Sequence, residues 1–226
     1  MGAIKLLELA LFLNLFSNPA LFCGKEKPQS FPPSCNRIEC PSYDLIEEGN
    51  GFEIRRYNSS VWASTSKIDD ISLVQATRTG FLQLFNYIQG KNDDKKKIEM
   101  TAPVITQVSP SDGPLCESSF VVSFYVPKEN QANPPSSKGL HIQKWEPTYV
   151  AVRQFGGFVS DYAVGEEAAI LQSSLAGSKW AAAIEKSQKD NPKTSYTVAG
   201  YNSPFEIFNR VNEIWFNFDM DNVADM

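Results

Sequence analysis

The chain has 226 residues, is 42% hydrophobic and 21% charged, and carries a formal net charge of −5. That length and balance describe one globular domain, or two fused halves, that can bury a sizeable core without metals or many disulfides. The acidic balance excludes nucleic acid as the main partner, because phosphate recognition wants clustered positive charge and the only dense basic run, Lys95 to Lys97 behind Asp93 and Asp94, reads as a solvated loop.

Residues 1–24 differ from the rest. Lys5 precedes a short apolar stretch, interrupted by Glu8 and Asn14, and small residues follow near Cys23 and Gly24. The stretch is shorter than the roughly 20 residues of a membrane-spanning helix, and its pattern is that of a secretory signal peptide. No later segment reads as a membrane span. An extracellular or vacuolar location is the expectation, and the sequon Asn58-Ser59-Ser60 adds a candidate glycosylation site at Asn58.

Residues 25–42 are rich in Pro, Ser and Lys and read as an extended leader. Cys35 and Cys40 lie in it, and in an oxidising compartment they would close a small loop. A Cys35–Cys116 bridge and free thiols are the other readings. Metal ligation is disfavoured, because zinc wants four ligands and the chain has a single His.

The main domain is expected over 43–219, with an acidic tail over 220–226. The segment 52–67 alternates charged, aromatic and β-branched residues and predicts one long or bent strand. Asp69 and Asp70 are placed to start a helix that Gly90 ends. Strands are predicted over 98–108 and 120–126, with a turn over 109–114 between them. After a Pro-containing loop, 140–145 and 148–155 read as strands. Ser160 and Asp161 cap a second helix that Gly177 interrupts and Pro192 ends. Strands over 194–201 and 213–218 complete the chain. Both halves thus run extended segment, helix, strand, strand. A duplicated β-α-β-β unit would give an α+β fold, an antiparallel sheet with helices on one side that could curl into a distorted barrel.

Several strings, in order, resemble the SOUL haem-binding family. They are Phe52-Glu53-Ile54-Arg55-Arg56-Tyr57, Thr79-Gly80-Phe81, Tyr87-Ile88-Gln89-Gly90-Lys91-Asn92, Met100-Thr101-Ala102-Pro103-Val104, Ala199-Gly200-Tyr201-Asn202-Ser203-Pro204 and Asn212-Glu213-Ile214-Trp215. The resemblance implies a distorted eight-stranded antiparallel barrel flanked by two helices. It also implies non-enzymatic binding of haem or a related porphyrin in an apolar groove, for transport, buffering or sensing. The leader with Cys35 and Cys40 lies outside the family pattern.

The first helix is informative by itself. Ile71, Val74, Arg78, Phe81, Phe85 and Ile88 recur at spacings of three and four, so they share one stripe. Such a stripe is ordinarily core, and an arginine inside it would then meet a protein carboxylate. The functional reading makes Val74, Phe81, Leu82 and Phe85 the cover of one tetrapyrrole face, with Arg78 on a propionate. Lysines that could meet propionates in some relatives are replaced here by Asn86 and Glu206. His141 reads as a surface residue and Met100 as packing, so no axial iron ligand is assigned.

No G-x-S-x-G, P-loop or H-E-x-x-H string is present. Acid–base work would fall to carboxylates such as Glu53, Glu99, Glu166, Glu167 and Glu213, and the strand residues Glu99 and Glu213 are the ones to test for burial. Two alternatives therefore stand beside tetrapyrrole binding: an interaction module taking a peptide, lipid or protein partner, and an enzyme acting on a tetrapyrrole or small apolar ligand. The sequence leaves oligomeric state open.

Overall fold

The computed structural model describes residues 31–109, 117–190 and 195–220. The signal-like segment, Cys23, Cys116, most of the 109–114 turn and the acidic end after residue 220 lie outside the described residues. Among the described residues there are ten strands: β1 (Tyr43–Glu48), β2 (Glu53–Tyr57), β3 (Ser60–Thr65), β4 (Ile68–Asp70), β5 (Val104–Ser109), β6 (Ser118–Tyr125), β7 (Leu140–Trp145), β8 (Thr148–Phe155), β9 (Tyr196–Gly200) and β10 (Asn212–Phe218). They form one sheet in the order β1-β2-β8-β10-β9-β5-β6-β3-β7, with β4 paired to β6, and the strand pairs are antiparallel. The helices are α1 (Leu73–Ile88), α2 (Asp161–Leu175) and α3 (Ala181–Asp190). The fold is therefore the expected α+β curled sheet, with ten strands instead of eight and a third helix where Gly177 breaks the second.

Two short connections force the curl. β2 is second and β3 eighth in the sheet order, six strand spacings apart, or about 29 Å along a flat sheet. Yet only Asn58 and Ser59 join them, a chain path of about 11 Å at most. Glu146 and Pro147 make an equally short step from β7 to β8, third in the order. The sheet can satisfy both steps only by bending until its ends approach. This also corrects the single strand expected over 52–67: the chain leaves one end of the sheet after Tyr57 and enters the other at Ser60.

The register assigns each side chain to a face. One face carries Ile54, Ala151, Ile214, Phe216, Val198, Val122, Phe124 and Ala63, and all three helices pack on it. The other carries Tyr57, Trp62, Ile105, Val150, Val152, Ala199, Tyr201 and Trp215, an aromatic-rich interior. The leader covers part of this interior. Its Cys35–Cys40 disulfide, with Cα atoms 5.5 Å apart, packs with Phe31 and Ile38 against that cluster. Glu39 bridges to Thr101, and its carbonyl accepts from Ala102 N at 3.0 Å. Over its described residues, 31–42, the leader is a short 3-10 turn, Pro33–Asn36, followed by a segment docked on this interior.

α1 begins at Ser72, whose hydroxyl accepts from Gln75 N at 3.2 Å. Asp69 and Asp70 belong to β4, and Asp70 Oδ1 accepts from Ser72 N at 2.9 Å. Gly90, at φ 95°, ends the helix as expected. α1 buries Leu73, Ala76, Gly80, Leu84, Tyr87 and Ile88. Gly80 is needed there: a Cβ would stand 2.4 Å from Val122 Cγ2. Ser160 caps α2 by accepting from Ala163 N at 3.2 Å. The strand expected over 98–108 starts only at Val104, because 98–103 turns to meet the leader.

Inside the curl lies a fully buried ion pair. Arg55 Nη1 donates to Glu213 Oε2 at 3.1 Å, and Nη2 approaches Oε1 at 3.0 Å, close enough for an ion pair but poorly angled for a hydrogen bond. Arg55 Nε also donates to Glu53 Oε2 at 2.7 Å, and the guanidinium sits 4.3 Å from the Tyr43 ring centroid. Glu213 accepts further bonds from Tyr201 OH at 2.9 Å, Trp215 Nε1 at 2.7 Å and Gln154 Nε2 at 3.3 Å. Burial, the largest single influence, favours a neutral guanidinium, but the Glu213 carboxylate together with Tyr57, Tyr201 and Tyr43 outweighs it and holds the Arg55 pKa above its ordinary value. Burial, reinforced by the same carboxylate, raises the Tyr201 hydroxyl well above its usual range.

Breaking such a pair from one side strands a charge in a dry interior. Arg55→Met should cost about 3–5 kcal/mol of stability in urea unfolding. Arg55→Met combined with Glu213→Leu should recover most of it; an equal loss in the single and double variants would sink the ion-pair account.

Candidate functional site

The apolar stripe read from the sequence is not core. Among its members only Ile88 is buried. Val74 is 39% exposed, Leu82 53% and Phe85 40%, and Ile71 stands almost free of the domain. Phe81 is partly buried, with its ring 5.7 Å from Phe85 in a stacked arrangement and 5.4 Å from Phe124, edge to face. Phe81 is therefore the anchor: it ties the exposed row to the core beneath α1. The helix has two apolar faces, and the sheet buries the other one.

Arg78 sits within this exposed row and is itself exposed. Among the described residues no carboxylate pairs with it, so the protein-carboxylate reading fails. The row Val74, Arg78, Leu82, Phe85 spans twelve residues, about 16 Å of helix from first Cα to last. At its N-terminal end, Asp161 from the start of α2 accepts from Ser72 Oγ at 2.8 Å and from Val74 N at 3.2 Å. That contact fixes the helix start with an anion where the backbone amides are unpaired.

The replacements noted from the sequence take different roles. Asn86 is exposed on α1. Glu206 is occupied: its carboxylate pairs with Arg37 of the leader and accepts from Asn202 Nδ2 at 3.1 Å and Ser203 N at 3.2 Å. The Arg37 bond, then Asn202, holds its pKa below the usual carboxylate range. The negative charge at this loop is therefore balanced by the leader, which the sequence did not foresee.

His141 is exposed on β7, where its Nε2 lies 3.1 Å from Ser66 Oγ. Met100 packs against the cluster under α1. Among the described residues no group of three or more His, Cys, Asp or Glu is placed to hold a metal ion. Of the two carboxylates singled out for burial, Glu213 is fully buried and Glu99 is exposed. Glu213 is committed to Arg55 and its other donors, and the Arg55–Glu213 pair itself escaped the sequence reading. The alternation Glu53, Arg55, Tyr57 facing inward was the available signal. Asn58 is exposed in the two-residue step between β2 and β3. The sequence reading also left unassigned a second exposed apolar group, Phe158, Phe205, Ile207 and Phe208. Arg210 lies 4.5 Å over the Phe158 ring, which puts the two loops together.

Among the described residues, no helix is long and apolar enough to cross a membrane. A family model described as "SOUL heme-binding protein" matches residues 38–217. Heme-binding protein 2 of Homo sapiens is 38% identical over 184 residues, covering 79% of this chain and 85% of that protein. Its Mus musculus counterpart is 36% identical with the same coverage, and Heme-binding protein 1 of Sus scrofa is 30% identical over 79% of this chain and 92% of its own length. Among solved structures, a chain of the EcmrR–DNA complex superposes with a TM-score of 0.51 at 8% identity, covering 75% of this chain and 57% of that one, a likeness of fold alone. The ordered strings, the curled sheet and these matches agree: the chain belongs to the SOUL heme-binding protein family.

Proposed function

We propose that the protein binds haem or a related tetrapyrrole, without catalysing a reaction, on the exposed face of α1. The observation that carries this is the exposed apolar row Val74, Leu82 and Phe85 with Arg78 among them, which no carboxylate of the described residues pairs, in a family whose relatives are heme-binding proteins. The row offers what a flat macrocycle needs: apolar side chains for one ring face, and one cation for a carboxylate at its edge. Phe81 and Phe85, already stacked, present preformed apolar area. Burying about 200 Å² of ring and helix surface is worth roughly 5 kcal/mol. Arg78 contributes orientation more than strength, because an exposed ion pair yields about 0.2–1 kcal/mol. No side chain of the row can ligate iron, so porphyrins with and without metal bind alike.

The same reading takes the chain through the secretory pathway. The signal-like residues 1–24, the disulfide across Cys35 and Cys40 and the exposed Asn58 support it. The reading predicts an N-glycan on Asn58 when the chain is made in a secretory cell. Endoglycosidase treatment should lower the mass of the secreted protein, and Asn58→Gln should remove that shift; an unglycosylated, cell-retained protein would reject it.

The binding reading is tested by absorbance titration with haemin and with metal-free protoporphyrin. Both should saturate at micromolar concentration, and no spectral change there would reject it. Phe85→Asp should weaken binding about tenfold or more, the equivalent of about 1.4 kcal/mol. Arg78→Ala should weaken haemin about two- to fivefold and leave a porphyrin without carboxylates unaffected. Both variants change exposed positions, so circular dichroism should stay native.

A further inference from the structure

α1 offers a flat ligand one wall. Val74, Leu82 and Phe85 face solvent, and the ring contacts of Phe81 are with Phe85 along the helix and Phe124 in the sheet below. Three cavities of the described fold lie elsewhere and are lined by other elements. A ring laid on the row therefore keeps its second face, as large and as apolar as the first, in water. We propose that a second copy of this chain covers that face, so that two copies clamp one dicarboxylate porphyrin between their α1 helices about a two-fold axis. The inference rests on the tetrapyrrole reading of the α1 row and adds the partner and the stoichiometry.

Ligand and helix match in symmetry and in charge. A porphyrin of the protoporphyrin type carries two propionates side by side on one edge. A two-fold axis in the ring plane, passing between them, exchanges the two propionates and also the two faces. Two chains related by that axis present the same row to each face and one Arg78 to each propionate. A single chain has one row cation for two carboxylates. Such a contact uses the same patch on both copies, the commonest geometry of homodimers. Arg78 is the only charged side chain of α1, and its exposed neighbours Gln75, Thr79, Gln83 and Asn86 are neutral. No acid on the helix repels the propionates, and a surface poor in charge suits the centre of an interface.

The same features keep empty chains apart. The row is about 16 Å long and one helix diameter, about 10 Å, wide, so it offers about 160 Å² per copy. A stable interface takes roughly 800 Å² from each partner. Closing two empty rows would also bring two unpaired arginines into one apolar contact, where charge is costly. The porphyrin removes both obstacles: each of its faces gives a copy apolar area to bury, and its propionates neutralise the arginine pair. Binding and dimerisation are thereby linked, and each strengthens the other.

The test is sedimentation velocity of the full chain at about 10 μM with increasing metal-free protoporphyrin, followed at the protein and porphyrin absorbances together. The chain alone should sediment as a monomer. Half an equivalent of porphyrin should convert it to a dimer in which two chains carry one ring, and excess porphyrin should return it to single chains, each holding a ring. Arg78→Ala changes both copies at once, so it should weaken the dimer about four- to twenty-five-fold, the square of the effect of one exposed ion pair. A monomer holding one ring at every ratio, a dimer holding two rings, or a chain already dimeric without porphyrin overturns the pairing and leaves the tetrapyrrole reading standing. Absence of any porphyrin binding overturns both.

Discussion

The structure depends on two connections that are too short for a flat sheet. Strands second and eighth in the order are joined by two residues, and so are those ninth and third. Once the sheet bends to allow this, one face becomes an interior closed to water and the other must be covered by helices. An interior that small favours large rigid side chains, and Trp62, Trp215, Tyr57 and Tyr201 fill it. It also makes any charge inside expensive, so Arg55 and Glu213 occur as a pair, with Tyr201, Trp215 and Gln154 satisfying the rest of the carboxylate.

The same closure explains why α1 has an apolar face to spare. The outer face of β3, β5 and β6 needs one helical stripe, and the stripe it takes is the one with the smallest residues at its centre. Ala76 and Gly80 let the helix axis approach Val122 closely. The bulkier stripe with Phe81 and Phe85 is left outward. A surface helix with a second apolar face stabilises nothing by itself, and solvent exposure of Leu82 and Phe85 weakens solubility. Its persistence is understandable if a flat apolar ligand covers it. Arg78 fits that use, because a cation with no carboxylate partner among the described residues is available to the ligand's edge.

The leader contributes more than a tether. It carries the disulfide, closes part of the aromatic interior and brings Arg37 to Glu206. A carboxylate that would repel an anionic ligand is thereby neutralised from a segment that lies mostly before the family's characteristic strings. Charge at the loop is set by the leader as well as by the loop's own residues.

The sequence by itself determined the family, through strings in a fixed order, and much of the local structure. The strands over 140–145 and 148–155, the Ser160 cap and the Gly90 stop are local matters of alternation, hydrogen-bonding side chains and backbone freedom, and they came out as read. The tertiary structure alone decided what depends on residues far apart in the chain. It split 52–67 between opposite ends of the sheet, since alternation is the same whether a strand continues or changes neighbours. It moved the start of α1 from Asp70 to Ser72, because Asp69 and Asp70 were taken by pairing with β6. It paired Arg55 with Glu213 across 158 residues, a contact no spacing can display. Most of all, it chose which of two apolar stripes on one helix would be dry. A period of 3.6 marks both stripes equally, and only the fit of Gly80 against Val122 tells them apart.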